Sequence, residues 1–452
     1  MTTSTHILRR RRFLPLFVTQ LFNAFNDNLY KTAMVLFVVY SIYDSEADEA
    51  MFSAVASGVF ILPFFVLSAL AGQLADMRDK ARIIRVVKAC EIGIMAVGGA
   101  GLFIAWQDME CAAVAGRCYV APPALLASSA IPLLLAALFA MGVHSTFFGP
   151  IKYAILPQHL RPREVLAGTG LVEAGTYIAI LFGTILAGWI PVEAAAVLVM
   201  VVAVVGYLTS RHVPDAPPQA DPEPIDFNVL RSSWVLVRNT MHDRRVFLAI
   251  MAISFFWTIG AVLFIQFPPL AKNVLTASKE VASLFLVIFS IGVAIGSVSV
   301  NALLKGTVSA RYSPLSVGFM GLFVVGFYLV CRAWTPLPDE ELFDVAGFMA
   351  RPLAIPLLLC LLGIAVAGGM FVVPLYAFLT TFVPKTQTAR TIAANNIVNS
   401  GAMVAGSLLA TGLSAAEVAI VDQVLLSAAM CLFSAWLGRR LLMAERRALV
   451  AA

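Results

Sequence analysis

Twelve long apolar runs separated by short polar segments recur along the chain. A run of about 20 apolar residues is the length that crosses a bilayer as a helix. Lipid offers no water to an exposed backbone, so such runs fold as helices that satisfy their own hydrogen bonds. Six runs fall at about residues 13–41, 52–74, 82–106, 125–149, 165–190 and 192–210. Six more fall at about 246–272, 279–304, 312–331, 352–382, 391–412 and 417–438. A polar, proline-rich stretch, 211–245, lies between the two sets. Composition excludes a soluble alternative: 13% of residues are charged, about half the share of a soluble domain, and mean hydropathy is +0.89. The reading is an all-α integral membrane protein, with one bundle over 1–210, a central loop over 211–245, and a second bundle with a short basic tail over 246–452.

The cations set the orientation, because Lys and Arg concentrate in cytoplasmic loops. Alternate loops and the two tails hold 25 of the 31 Lys and Arg. They include Arg9 to Arg12, the cluster Arg78, Lys80, Arg82, Arg85 and Lys88, and Arg439, Arg440, Arg446 and Arg447. The other side receives Arg117, Lys272, Lys279, Arg332 and Arg351, and Lys31 lies inside the first run. Both termini are therefore expected on the cytoplasmic side. The net charge of +5 needs no nucleic-acid partner, since the cations cap helices. Arg9 to Arg12 precede an apolar run longer than that of a cleavable signal peptide, so the run reads as the first span. The outer loops lean acidic, with Asp44, Glu46, Asp48 and Glu49, then Asp339 to Glu341 and Asp344. Cys111 and Cys118 share an outer loop, where an oxidising side would permit, without requiring, a disulfide between them.

The two halves repeat. Phe147-Phe148-Gly149-Pro150 in the fourth run matches Phe371-Val372-Val373-Pro374 in the tenth. Downstream, Leu171-Val172-Glu173-Ala174-Gly175 matches Ile397-Val398-Asn399-Ser400-Gly401. This pattern, with the six-plus-six count, indicates a parallel duplication, which places a solute site between the halves near the midplane.

Between the second and third runs the chain reads Gly72-Gln73-Leu74-Ala75-Asp76-Met77-Arg78-Asp79-Lys80-Ala81-Arg82. This resembles the loop signature of the major facilitator superfamily, with Asp79 replacing its second glycine. The counterpart after the eighth run is degenerate, with Val300 at the Asp position. Further stretches resemble bacterial lysophospholipid transporters: Ala24-Phe25-Asn26-Asp27-Asn28, Pro150-Ile151-Lys152-Tyr153, Gly170-Leu171-Val172-Glu173-Ala174, and Gly368-Gly369-Met370-Phe371. The resemblance implies the major facilitator fold. It also implies carriage of lysophosphatidylethanolamine from the outer to the inner leaflet of the bacterial cytoplasmic membrane for reacylation. Some relatives are fused to an acyltransferase and an acyl-carrier ligase. Neither is read here, and a cytoplasmic acyltransferase acting on the product is a partner that the resemblance allows. Members carry an arginine in the seventh span, where this chain has Phe264 in a run without charge.

Charges at bilayer depth face a cavity or a partner. Asp27 and Lys31 share one helix face, extended by Asn23. A carboxylate and an ammonium one turn apart match both ends of a zwitterionic headgroup, or else form an internal pair that only fixes packing. The candidate substrate-binding set is Asp27, Lys31, Asn23, Asn28, Glu173, Lys152, Tyr153, Tyr376, Asn396 and Asn399. Glu91 reads as a structural partner of Lys88, and His144 as a packed residue. Gly72, Asp76, Arg78, Lys80 and Arg82 read as a gate whose contacts form in one state and break in the other. No phosphate-binding loop, zinc motif, nucleophile elbow or acyltransferase His-x4-Asp pair occurs, so neither an enzyme nor a cofactor is expected. An exporter of drugs or small metabolites is the alternative.

Overall fold

The computed structural model describes residues 3–41, 46–114, 123–221, 224, 226, 228–337 and 342–451. Twelve long helices account for most of them: α1 (Leu14–Ser41), α2 (Glu46–Met77), α3 (Lys80–Val114), α4 (Pro123–Ala154), α5 (Pro162–Trp189), α6 (Val192–Ser210), α7 (Arg244–Asn273), α8 (Lys279–Leu304), α9 (Ser313–Ala333), α10 (Ala354–Phe382), α11 (Thr388–Ala415) and α12 (Ile420–Ala451). Eleven are long and apolar enough to cross a membrane by that measure alone. The remaining one, α1, has 28 residues, about 42 Å at 1.5 Å per residue, but carries three asparagines, an aspartate and a lysine at mid-length. Among the described residues there is no strand, only an isolated bridge between Ala277 and Phe343.

Most helices run past the apolar windows that announce them. The second window, 52–74, sits inside a 32-residue helix. Hydropathy reports the hydrocarbon core, whereas a helix continues into the headgroup zone wherever caps allow. Asp243 supplies one such cap, accepting from Arg245 N at 2.7 Å and Val246 N at 3.3 Å and so satisfying donors that the first turn of α7 leaves free. Pro162 begins α5 where its missing N–H costs nothing.

The central stretch is not simply an extended linker. Residues Val229–Thr240 form a helix capped by Asn228, which accepts from Arg231 N at 3.1 Å. It packs on both α2 and α11. Leu230 and Trp234, one turn apart, are each 71% exposed, the disposition of a helix with one flank at a lipid interface. The acidic residues Asp44, Asp339, Glu340 and Glu341, and Cys118, lie outside the described residues, as does the side chain of Cys111.

Within the first six helices, α1 packs on α5 and α6, α2 on α4, and α3 on α4 and α6. The second six repeat the pattern: α7 on α11 and α12, α8 on α10, and α9 on α10 and α12. The fold is thus two six-helix bundles related by a parallel repeat. An even number of crossings brings both termini to one face, here the terminal face.

The bundles meet along α2–α11 and α5–α8, with α4 and α5 also touching α10 or α11. Two glycines permit the approach. A Cβ on Gly72 would fall 2.6 Å from Ala393 Cβ, and one on Gly170 would fall 2.2 Å from the Ser297 carbonyl oxygen. Both glycines lie toward the terminal face. α11 is buried in nearly every residue from 388 to 399, but beyond that only Gly406 and Ala410 remain buried. α5 is continuously buried from Val165 to Tyr177, then exposes Phe182 and Trp189. The seam is therefore closed on the terminal face and parted on the far face.

Candidate functional site

The closed end of the seam is built from aromatic rings at bilayer depth. Tyr153 of α4 and Tyr376 of α10 stack at 4.6 Å with planes 10° apart. The Tyr376 hydroxyl accepts from Trp257 Nε1 of α7 at 2.9 Å and lies 3.5 Å from the side-chain amides of both Asn395 and Asn399. Asn399 in turn accepts from Ser254 Oγ at 2.7 Å. Tyr177 of α5 reaches Trp257 and Phe289 of the other bundle at 6.3 and 6.5 Å. These rings form a floor beneath the parted half of the seam.

Glu173 lies against this floor. It is wholly buried and accepts a short hydrogen bond from the Tyr153 hydroxyl, while its second oxygen has no partner. Lys152 lies with its Nζ 4.9 Å from the Tyr153 ring centroid and interacts electrostatically with both Glu173 and Asp27.

Asp27 is at the midpoint of α1 and 9% exposed. One oxygen, Oδ2, accepts from Ser145 Oγ at 2.5 Å and Asn23 Nδ2 at 3.2 Å; the other has no partner. Lys31 makes no direct ion pair with it. The Lys31 ammonium instead lies over the Phe60 ring of α2, 5.6 Å from its centroid, within electrostatic reach of Asp27. Two carboxylates and two ammonium groups thus gather near the seam on the first bundle. A zwitterionic group, or a neutral polar one, fits that balance better than a net ion.

The remaining candidates divide. Asn28 bonds the Ala24 carbonyl of its own helix at 2.8 Å and faces Gly183 of α5, away from Asp27. Asn396 faces Gly149 of α4, whereas Asn395, one residue earlier, joins Asn399 on Tyr376. Phe264 packs edge-on against Phe289 at 4.9 Å, so the seventh span presents an aromatic wall at the arginine position.

A second buried polar cluster lies behind Asp27. Glu91 of α3 pairs with Lys88, lies 3.2 Å from His144 Nε2 of α4, and accepts from Asn26 Nδ2 of α1 at 2.7 Å. Asn26 and His144 join what sequence reading took as a Lys88–Glu91 pair. A polar residue beside Asp27 on α1 was the available signal.

At the terminal face, Asp76 is wholly buried at the end of α2 and crosses the seam. Its carboxylate accepts from Ala389 N and Arg390 N, both at 2.9 Å, capping the start of α11. Its carbonyl accepts from Gln219 N and Ala220 N of the central loop at 3.1 and 3.2 Å. Lys80 is buried beside it, while Arg78 and Arg82 point outward.

Two helical bundles, closed against each other on one face and parted on the other around buried charges at mid-depth, define a multi-pass membrane transporter. The sequence matches the model of the Major Facilitator Superfamily over residues 16–407, and the chain belongs to that family. It is 25% identical over 383 residues to the lysophospholipid transporter LplT of Serratia proteamaculans, covering 82% of this chain and 80% of that protein. It is likewise 25% identical over 381 residues to the protein of that name from Yersinia pestis, covering 82% and 79%. Among solved structures, a bacterial homologue of the iron transporter ferroportin in an outward-facing state matches with TM-score 0.69 at 14% identity, over 96% of this chain and 99% of that one. The proton:xylose symporter XylE matches with TM-score 0.65 at 14% identity, over 98% and 97%.

Proposed function

We propose that this transporter carries lysophospholipids, lysophosphatidylethanolamine in particular, from the outer to the inner leaflet of a bacterial cytoplasmic membrane for reacylation. The observation that carries the reading is the half-satisfied Asp27. One oxygen is held by Asn23 and Ser145, the other is free, and a lysine one turn along has no ion-pair partner among the described residues. A free carboxylate oxygen receives the ethanolamine ammonium. Lys31 and Lys152 supply cations for the phosphate, and the aromatic floor and apolar far half of the seam receive the single acyl chain. The likeness to proteins named for lysophospholipid transport supports this cargo. The positive-inside bias supports cytoplasmic termini, so the parted face is the outer one.

Lysolipid enters sideways from the outer leaflet. Rocking of the bundles then breaks the Asp76–α11 contact and the tyrosine stack and frees cargo to the inner leaflet, where an acyltransferase consumes it. The test is uptake of radiolabelled lysophosphatidylethanolamine into spheroplasts lacking their own transporter, with the wild-type chain and with Asp27→Asn. Uptake that requires the chain and falls with the variant supports the cargo and the site. Background uptake with folded protein in the membrane overturns it and leaves the exporter reading.

A further inference from the structure

Away from the seam, the first bundle holds a large groove on its lipid-facing side. α2 and α3 part beyond their connecting turn, while both lie along α4. The open space between them measures about 1210 Å³, above the usual range of a small-molecule pocket. Its walls are apolar apart from His144 of α4: Val86, Cys90 and Ile94 from α3, and Phe139, Val143 and Phe147 from α4. Val86 and Phe139 are 56% and 43% exposed, an arrangement that a bilayer covers with hydrocarbon. From Arg82 to Ile94 the groove follows α3 for about 18 Å at 1.5 Å per residue. That is close to one leaflet, half of the roughly 30 Å core.

The mouth, at the terminal face, is polar. Arg78, Asp79, Arg82 and residues 218–221 line it. Arg78 and Arg82 are exposed, and their guanidinium groups have no acceptor among the described residues. The Asp79 carboxylate accepts from Arg82 N at 3.0 Å, so it is committed to the start of α3. Asp221, exposed at the rim, is not. Two open guanidinium groups and one open carboxylate above a leaflet-deep apolar slot make a receptor for a phosphate bearing an amine and a chain.

We propose that this groove holds one resident phospholipid with a zwitterionic amine headgroup, drawn from the leaflet at the terminal face. Its phosphate lies on Arg78 and Arg82, its ammonium toward Asp221, and one acyl chain along α3 and α4. Arginine is suited to the phosphate because its planar donors meet two oxygens at once. The mouth is fixed to the seam through Asp76, whose carbonyl holds Gln219 and Ala220 of the rim and whose carboxylate caps α11. The lipid is therefore a structural neighbour of the contact that closes the transporter.

This inference stands apart from the cargo reading, because lipid retention and lysolipid uptake can each fail alone. The test is native mass spectrometry of the full chain released from membranes of equal phosphatidylethanolamine, phosphatidylglycerol and phosphatidylcholine. One phosphatidylethanolamine is retained, enriched at least severalfold over the other two. Arg78→Gln with Arg82→Gln, which removes the donors to the phosphate, cuts retention of phosphatidylethanolamine severalfold. Cys90→Trp, which fills the slot and leaves the rim intact, removes retention of any phospholipid. Size-exclusion profiles and thermal unfolding check that each variant is folded, and either variant alone decides the matter if the other does not fold. Equal retention of all three lipids, or undiminished retention in a folded variant, overturns the proposal. Displacement of the retained lipid by excess lysophosphatidylethanolamine overturns it too, and makes the groove a cargo site.

Discussion

Replacing Asp76 with Asn separates a gate from a packing contact. The carboxylate accepts two backbone N–H groups of α11 at 2.9 Å, one on each oxygen, from a buried position. Asparagine keeps the shape and one acceptor, but its amide turns a donor toward one of those N–H groups. One charge-assisted bond goes, worth about 1.5–3 kcal/mol. So does part of the attraction of an anion to a helix N-terminus, up to about 2 kcal/mol. A net loss of about 2–4 kcal/mol shifts the equilibrium between closed and open terminal faces roughly 30- to 700-fold. Spin labels at Arg163 and Lys385, both exposed on that face and in different bundles, report the distance by double electron–electron resonance. The wild type gives one short population in lipid nanodiscs, and Asp76→Asn adds a longer one. An unchanged distribution in a folded variant refutes the gate, and lowered thermal stability without a long population reduces Asp76 to a packing residue.

Gly170→Val places side-chain atoms where a single Cβ would already stand 2.2 Å from the Ser297 carbonyl. The α5–α8 seam then parts at the terminal face, and the same label pair shows the long population. Glu91→Gln leaves Lys88 buried without its counter-charge and lowers stability by about 3–5 kcal/mol, whereas Glu91→Gln with Lys88→Met recovers much of that loss; thermal unfolding in detergent ranks the three. Phe264→Arg puts a cation against the parted seam, so uptake of lysophosphatidylglycerol rises relative to lysophosphatidylethanolamine, read as a ratio in spheroplasts.

The helices were legible because lipid imposes one solution on a long apolar run, and the Gly72–Arg82 stretch marked the turn where α2 crosses to α11. The ends of the helices were not, since α2 starts at Glu46 and α12 runs to Ala451 in polar sequence that hydropathy treats as loop. The helix Val229–Thr240 was hidden for a related reason. Flanking prolines and interleaved arginines and serines mask an apolar flank that only α2 and α11 complete. In the candidate site, spacing showed that Asn396 and Asn399 share a face, but Asn395 and Asn399 share one too. Which pair meets Tyr376 is decided by where α10 lies. The stacking of Tyr153 on Tyr376, and the bond from Asn26 to Glu91 across 65 residues, rest on tertiary packing that one sequence does not display.

The distribution of charge across the seam carries a mechanical consequence. Asp27, Lys31, Lys88, Glu91, His144, Lys152 and Glu173 all belong to the first bundle, and the second answers with Trp257, Phe264, Phe289, Tyr376, Asn395 and Asn399. A charge stranded at bilayer depth is costly, so bundles that held each other by deep ion pairs would part with difficulty. Here each described ion pair keeps both partners within one bundle or its adjoining segment. What crosses the seam at depth is ring contact, Tyr153 on Tyr376 and Tyr177 on Trp257 and Phe289, which separates at modest expense. Asp76 reaches across as a charged acceptor at the terminal face, where water enters as the bundles separate and replaces the two N–H groups it loses. The deep part of the seam is therefore free to open and close, and the strongest polar contact across it lies where solvent makes it reversible.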